Sequence, residues 1–304
     1  MCAALLLQTA VAQQATQAVQ AQQQAAIGQD VQGGVVNTSA ISSESFAPAS
    51  EADSDIGEQV LLQSAPKYQP FSAWTNWNVF WTSNAQLLND TQGSDTFLSG
   101  ALGGGYTPVI AGNLFFDASA EQSIFRYARN GSLDFNSLEL NAGLIYVVRP
   151  LGDLAVYGHY TYDLLTARGF NKEIYADHTL SVGARKVFTL TRAHLFYAST
   201  GASFSLGGEP SYALRDEFSI LGGYQLSLTR NMKLDLYYRF AVQPYTQTSR
   251  TDLNQLIGGG VSFSVTKWLT VQAISTIGIN NSTNSTYSYF AANLGGGVGI
   301  LVNF

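Results

Sequence analysis

The feature of this sequence that most constrains its fold is an alternation of apolar and polar residues that runs for ten or more residues at a time. From Ser137 to Leu144, even-numbered residues are apolar and odd-numbered residues are polar or glycine. The same two-residue period recurs over 218–228 and 234–242. Successive side chains of a β-strand point to opposite faces, so each segment is predicted to be a strand with two different environments.

The length and number of these segments predict a membrane-spanning barrel. Strands in soluble sheets have about five or six residues, whereas a tilted strand that crosses a bilayer has about 9–11. The predicted fold class is therefore all-β, a transmembrane up-and-down antiparallel β-barrel of about 12 strands, with a low-complexity N-terminal segment. The predicted strands are 73–83, 95–106, 113–127, 135–148, 154–164, 177–188, 194–206, 217–228, 232–243, 254–265, 268–279 and 289–304.

The connections between the predicted strands alternate in length. Short links such as "RPLGD" and "TRN" follow even-numbered strands, and longer polar links such as "LTARGFNKEIYAD" and "QPYTQTSRTD" follow odd-numbered ones. Outer-membrane barrels have short periplasmic turns and longer extracellular loops. An even strand number also leaves both chain ends on the periplasmic side.

Composition agrees with a strand-based membrane protein. Only 12% of residues are charged, against about 25% in ordinary soluble domains, yet no apolar run reaches the roughly 20 residues of a transmembrane helix. The net charge of -6 argues against nucleic acid as a partner. Cys2 is the only cysteine, so neither a disulfide framework nor a cysteine-based metal site is expected. No cofactor is predicted.

Two segments precede the predicted barrel. Residues 1–12 resemble a signal-peptide remnant, with a short apolar core and the small-x-small sequence Ala10-Val11-Ala12, although a basic front region is missing. Residues 13–72 are rich in Gln, Ala, Ser and acidic residues and are predicted to be a flexible periplasmic segment. This segment could be a plain linker or could enter the barrel. The barrel itself is assigned to 73–304.

The C-terminal residues "GGGVGILVNF" carry a family resemblance. Gly299, Val302 and Phe304 occupy the glycine, apolar and terminal aromatic positions of the C-terminal assembly signal of bacterial outer-membrane β-barrel proteins, which the sequence resembles over 73–304. Gly297 stands where that signal usually has a polar residue. The resemblance implies a location in the bacterial outer membrane, contact with its lipid, and insertion by the outer-membrane assembly machinery. Glycines on the inner face of the last strand are expected to leave room in a narrow lumen.

The candidate pore-lining residues are the charged residues at those alternating strand positions that are predicted to face the barrel interior. Two interpretations stay open: these groups could select solutes by size and charge, or they could pair with one another and brace a closed lumen. Twelve strands lie between the filled eight-stranded and the open sixteen-stranded barrels. The candidates are Asp117, Glu121, Glu139, His159, Asp163, Arg185, Lys233, Asp235 and Arg239.

No catalytic or metal site is predicted. His178 and His194 have outward parity, and His159, which points inward, has no Ser or Asp neighbour in a catalytic spacing. The glycine-rich "GALGGGY" lies within a strand, so it is not a phosphate loop. Aromatic residues near strand ends are interpreted as membrane-interface girdles. A sugar-stacking track made by the inward Tyr157, Tyr197 and Tyr237 is the alternative.

Three functions follow in order of expectation. The first is an outer-membrane channel for passive diffusion of small polar solutes. The second is a structural or anchoring barrel whose N-terminal segment, 13–72, binds a periplasmic partner. The third is a surface hydrolase that depends on His159.

Overall fold

A computed structural model describes residues 68–89 and 93–304 of the chain. Within these residues, twelve long strands form one closed antiparallel barrel, which confirms the predicted fold class. Residues 1–12 and nearly all of 13–72 lie outside the described part, so their assignments remain predictions. The strands are β1 (Phe71–Thr82), β2 (Asp95–Tyr106), β3 (Val109–Ala111), β4 (Leu114–Tyr127), β5 (Phe135–Val148), β6 (Leu154–Ala167), β7 (Glu173–Thr189), β8 (His194–Glu209), β9 (Glu217–Ser227), β10 (Met232–Pro244), β11 (Thr251–Ser264), β12 (Leu269–Ser282) and β13 (Tyr289–Asn303). The three-residue β3 pairs only with the start of β4, so it is not one of the twelve.

The barrel closes by pairing its last strand with its first. β13 runs antiparallel to β1, with Asn303 opposite Ser72 and Asn293 opposite Thr82. Beyond this ladder, the backbone N–H of Phe304 donates to the carbonyl of Phe71 at 3.0 Å. The ring of Phe71 stacks between Tyr106, at 4.5 Å between ring centroids, and Phe304, at 5.9 Å. Closure leaves no free sheet edge, as a bilayer requires.

The connections form two different rims. The turn rim comprises 107–113, 149–153, 190–193, 228–231 and 265–268. The loop rim comprises 83–89, 93–94, 128–134, 168–172, 210–216, 245–250 and 283–288. One predicted loop is much shorter than expected, because β6 and β7 continue pairing from Ala155–Arg185 up to Thr166–Glu173. Inward packing of Leu165 and Tyr175 extends this hairpin beyond the alternating segment on which the sequence prediction relied.

Side-chain exposure follows the predicted alternation around the wall. On β10, Leu236 and Tyr238 are exposed, whereas Asp235, Tyr237 and Arg239 are buried. The exposed apolar residues of the other strands, such as Leu144, Val182 and Val298, have the same outward parity. A lipid-facing exterior explains why large apolar side chains remain exposed on eleven of the twelve long strands, β4 being the exception. Among the described residues, no helix is long and apolar enough to span a bilayer.

Glycines on the inner face have a role that the sequence did not reveal. Tyr197 lies directly opposite Gly223, and Tyr237 directly opposite Gly258. A Cβ atom on either glycine would overlap the opposite tyrosine ring. The same relation joins Tyr157 to Gly183 on β7. These glycines let a ring from the adjacent strand lie flat against the wall, so the expectation that they only leave empty space was incomplete.

Candidate functional site

The lumen is the candidate functional site, and its wall carries every predicted pore-lining residue. By strand register, all nine predicted side chains are on the inner face. Their heights and strands divide these nine residues into three groups. Asp117 and His159 lie towards the turn rim, Glu121, Glu139 and Asp163 lie at mid-height on β4 to β6, and Arg185, Lys233, Asp235 and Arg239 lie on β7 and β10.

The side chains of Asp117 and His159 meet across an intervening strand. Asp117 is opposite Gly143, and Gly143 is opposite His159, so the glycine stands between the two side chains. The His159 ring passes over Gly143, where a Cβ would overlap it, and its Nε2 lies 3.3 Å from Asp117 Oδ2. The hydroxyl of Thr107 donates to the other Asp117 oxygen at 2.8 Å. The absence of a side chain at Gly143 is what permits this contact.

Carboxylates occupy directly opposed positions on four adjacent strands. Glu121 is opposite Glu139, Glu139 is opposite Asp163, and Asp163 is opposite Asp177. Polar donors satisfy the ends of this acidic row: Trp74 Nε1 donates to Glu121 at 2.6 Å, and the Tyr175 hydroxyl donates to Asp177 at 2.9 Å. Like charges at opposed positions repel one another, so the row is a local concentration of negative potential along the wall.

A second polar group lies on β8 to β10, which follow the strands of the acidic row around the barrel. The hydroxyl of Tyr197 donates to Asp235 at 2.7 Å, and Gln225 Nε2 donates to the other Asp235 oxygen at 3.2 Å. Lys233 and Arg185 act electrostatically on the same carboxylate. Further towards the loop rim, Arg239 is hydrogen-bonded to Glu217 on the neighbouring strand.

Four close contacts between acidic and basic side chains of the described residues run along the wall and do not cross the lumen. Arg239 and Glu217 are on adjacent strands, and Arg250 pairs with Asp252 two residues away. Asp117 and His159 are separated by one strand, and Arg168 pairs with Asp134 beside the loop rim. Of these four contacts, that between Arg239 and Glu217 braces neighbouring strands. None of the four is a bridge across the lumen of the kind expected of a lumen closed by ion pairs.

Sequence reasoning missed several charged residues of the inner face. Asp177 and Glu217 have the correct parity but lie at the ends of their predicted strands, next to predicted loops. Arg250 and Asp252 precede the predicted start of their strand, which begins at Thr251 in the structure. If the alternating pattern had been continued two or three residues beyond each predicted strand, Asp252 would have been identified as an inner-face residue. Arg250 lies in a loop and gave no such signal.

On most strands, although not on β8 and β9, the inner face becomes less exposed towards the loop rim. There, side chains from β1, β2, β4 to β7 and β12 meet in an apolar cluster with the segment that connects β8 to β9. Its buried members are Phe80, Phe97, Phe125, Phe135, Leu165, Ile174, Tyr175, Ala213, Leu214 and Ile274. By contrast, Glu121, His159, Gly201 and Ser262, at mid-height or nearer the turn rim, retain partial exposure. The apolar cluster therefore lies in the narrower part of the lumen.

A cavity opens outside this cluster at the loop rim. It has a volume of about 460 Å³ and is lined by Tyr212, Thr248, Ser249, Arg250, Thr283, Asn284 and Tyr287. The Arg250 guanidinium lies 3.6 Å from the ring centroid of Tyr287 and 4.2 Å from that of Tyr245. Burial, together with nearby Tyr287 and Glu209, raises the pKa of Tyr212 above its usual value, so its phenol stays neutral near pH 7.

The histidines do not assemble a hydrolase site among the described residues. His159 is opposite Ser181, but the Ser181 hydroxyl is hydrogen-bonded to Ser203 at 2.9 Å. His178 and His194 have outward positions, where they contact the hydroxyls of Tyr160 and Tyr224. No group of three or more potential metal ligands occurs in residues 68–89 and 93–304.

The proposed sugar-stacking track is wrong for two of its three tyrosines. Tyr197 and Tyr237 face inward, but they are only 0% and 5% exposed, so a passing solute cannot stack on them. The girdle interpretation is better supported, since Trp77, Trp81 and Trp268 are exposed on the outer surface. Trp74 is an exception, because its indole faces inward to Glu121.

The described chain begins at the lumen mouth of the turn rim. The ring of Tyr68 lies 6.4 Å from that of inward-facing Phe115, and its hydroxyl donates to the backbone carbonyl of Thr107. Burial and the nearby Asp117 raise the pKa of Tyr68. Residues 68–70 therefore lie at the turn rim, beside the opening of the lumen.

The residues of the predicted assembly signal lie at the same rim. Val302 and Phe304 are exposed on the outer face, whereas Gly299 faces inward opposite Asn76. A Cβ on Gly299 would lie 2.6 Å from Asn76 Oδ1. Their role in assembly stays a prediction.

Comparison with known proteins supports the fold and nothing finer. An outer membrane channel from Pseudomonas putida F1 aligns with a TM-score of 0.50 at 11% identity, over 78% of this chain and 98% of that chain. The fold is that of a bacterial outer-membrane β-barrel. An anion-selective porin from Comamonas acidovorans (TM-score 0.41, 8% identity, 76% of this chain and 98% of that one) and the NanC porin (0.44, 9%, 74% and 98%) are less similar. No protein-family model and no curated protein matches the chain.

Proposed function

We propose that this barrel is an outer-membrane channel through which small polar solutes diffuse passively. The proposal rests on the composition and exposure of the inner wall between mid-height and the turn rim. There, charged, hydroxyl and glycine residues keep partial exposure while rings such as Tyr157 lie flat over glycines. A wall of this kind offers water and polar solutes hydrogen-bonding partners without obstructing their path.

The apolar cluster is the part of the path that limits solute size in this proposal. Phe80, Phe125 and Phe135 face inward and are buried, so water interacts weakly with this section. Hydrophobic constrictions of channels restrict flow by excluding water. A low conductance is therefore expected compared with wide sixteen-stranded channels.

The direct test is the conductance of the purified full-length protein in planar lipid bilayers. We expect discrete current steps whose size rises with salt concentration. Bilayers that contain the folded protein and stay silent at all voltages would contradict the proposal. Folding is verified beforehand by heat-modifiable mobility in gel electrophoresis.

The same recordings test whether the charge of the inner wall makes the channel selective for cations. Carboxylates outnumber cationic side chains on the inner faces of the strands, so we expect cations to permeate better than anions in a salt gradient. Glu139→Gln combined with Asp163→Asn should lower this cation preference severalfold at low ionic strength, where screening is weakest. The matched control is Glu173→Gln with Glu209→Gln, which are exposed at the loop-rim strand ends and should leave the preference unchanged.

A structural or anchoring role is the second candidate, and one observation favours it. The chain meets the barrel at the turn rim beside Tyr68, which is the predicted periplasmic side, where residues 13–72 could reach a periplasmic partner. If the barrel is electrically silent, deletion of residues 13–67 should abolish partner capture while the barrel still folds.

A further inference from the structure

Three consecutive connections of the turn rim are built in the same way. They join β7 to β8, β9 to β10 and β11 to β12, and their sequences are Leu190-Thr191-Arg192, Leu228-Thr229-Arg230 and Val265-Thr266-Lys267. In each turn, the threonine hydroxyl oxygen accepts from the backbone N–H groups two and three residues ahead. For Thr229, these are Asn231 at 3.3 Å and Met232 at 3.0 Å, and Thr191 and Thr266 repeat the pattern at 3.0–3.2 Å.

This shared geometry presents a basic side chain at the same turn position three times. Arg192, Arg230 and Lys267 directly follow their threonines, and all three are exposed. Each turn also begins with an exposed apolar residue, which is Leu190, Leu228 or Val265. An apolar residue beside a cation is the arrangement that suits the boundary between acyl chains and headgroups.

Charge is distributed unequally between the two rims. At the turn rim, Arg149 and Lys186 add to these three cations, and the acidic side chain within the connecting turns of this rim is that of Asp153. At the loop rim, basic and acidic residues are mixed, as Arg129, Arg168 and Lys172 lie among Asp134, Glu173, Glu209 and Asp216. A localised excess of positive charge therefore marks one rim.

We propose that Arg192, Arg230 and Lys267 form a basic collar that binds the headgroups of anionic phospholipids in the leaflet at the turn rim. The β7 to β12 strands are adjacent, so the three turns cover one continuous side of the barrel. Lipid fits this surface better than an acidic protein does, because each cation has an exposed apolar neighbour on the lipid-facing surface. Each cation close to the membrane surface strengthens the affinity for anionic lipid by about fivefold.

The test uses the full-length protein folded into vesicles of phosphatidylcholine with 30% phosphatidylglycerol, each lipid brominated in turn. Brominated acyl chains quench nearby tryptophans, so the exposed Trp77 and Trp81 are replaced by phenylalanine and Trp268 remains as the exposed reporter in the third turn. We expect phosphatidylglycerol to be preferred by at least about tenfold at low salt, with the preference falling at 0.5 M salt.

The decisive variant is the triple substitution Arg192→Gln, Arg230→Gln and Lys267→Gln, which keeps the three threonine bonds. It should bring the two lipids to within about twofold of each other. Its control, Arg129→Gln, Arg168→Gln and Lys172→Gln at the loop rim, should retain the preference. Equal quenching by both lipids in the unmodified protein would overturn the proposal and leave an acidic protein as the partner of the collar. A preference that survives the triple substitution would overturn it as well.

Discussion

Gly223→Val should destabilise the barrel strongly, because a side chain at this position would occupy the space of the Tyr197 ring. Tyr197 is directly opposite Gly223 and is fully buried. Its hydroxyl is fixed to Asp235 at 2.7 Å, so the ring cannot swing away without breaking that bond. Overpacking of a filled site costs about 1–3 kcal/mol, and loss of the buried hydrogen bond adds about 1–3 kcal/mol. We expect a corresponding fall in the free energy of unfolding, measured by urea titration in liposomes.

A double-mutant cycle separates the ring clash from the intrinsic effect of replacing glycine. Tyr197→Ala removes the ring, and the combination with Gly223→Val should be less destabilised than the sum of the single changes. Gly131→Ala is the matched control, since no atom lies near a Cβ built there and its loop is at the surface. Additive effects of the two substitutions would show that the ring and the glycine are not coupled.

Removal of residues 289–304 should abolish folding into a bilayer altogether. This deletion takes away β13, which pairs with β1 on one side and β12 on the other. Two strand edges would then face hydrocarbon, where every unpaired backbone N–H and C=O costs several kcal/mol. We expect no heat-modifiable form in vesicles and no protease-resistant core.

A smaller deletion distinguishes closure of the sheet from the chain-end signal. Removal of Phe304 alone leaves the ladder between 72–82 and 293–303 intact. That protein should still fold into detergent or vesicles in vitro, while its assembly in cells should fall if the terminal aromatic residue is recognised. A fully folded barrel without 289–304 would mean that the strand order is not the one described.

The fold was predictable from sequence because one physical cause acts on every strand. Lipid on one face and a polar interior on the other force alternation, and this set the bounds of β2 and β5 to the residue. The prediction failed where that cause stops acting. The upper part of the β6–β7 hairpin packs Leu165 and Tyr175 into the apolar cluster, so its sequence has no lipid-facing alternation to detect.

The candidate site was predictable only as a list of inward residues. Parity assigned His159 to the inner face, but no sequence spacing linked it to Asp117, because their contact depends on the register of two ladders and on the gap at Gly143. The pairing of Tyr197 with Gly223 depends on register in the same way. Alternation determines the face of a residue, whereas its partners follow from how neighbouring strands align.

Side chains alternate between lipid and an aqueous interior along each strand, and spin-label accessibility tests this alternation most directly. Single cysteines would be placed from Val156 to Asp163 on β6, with Cys2 replaced, and each label exposed to oxygen and to a water-soluble nickel complex. We expect labels at 156, 158, 160 and 162 to collide mainly with oxygen, and labels at 157, 159, 161 and 163 mainly with the nickel complex. Accessibility without a two-residue period would contradict the claim.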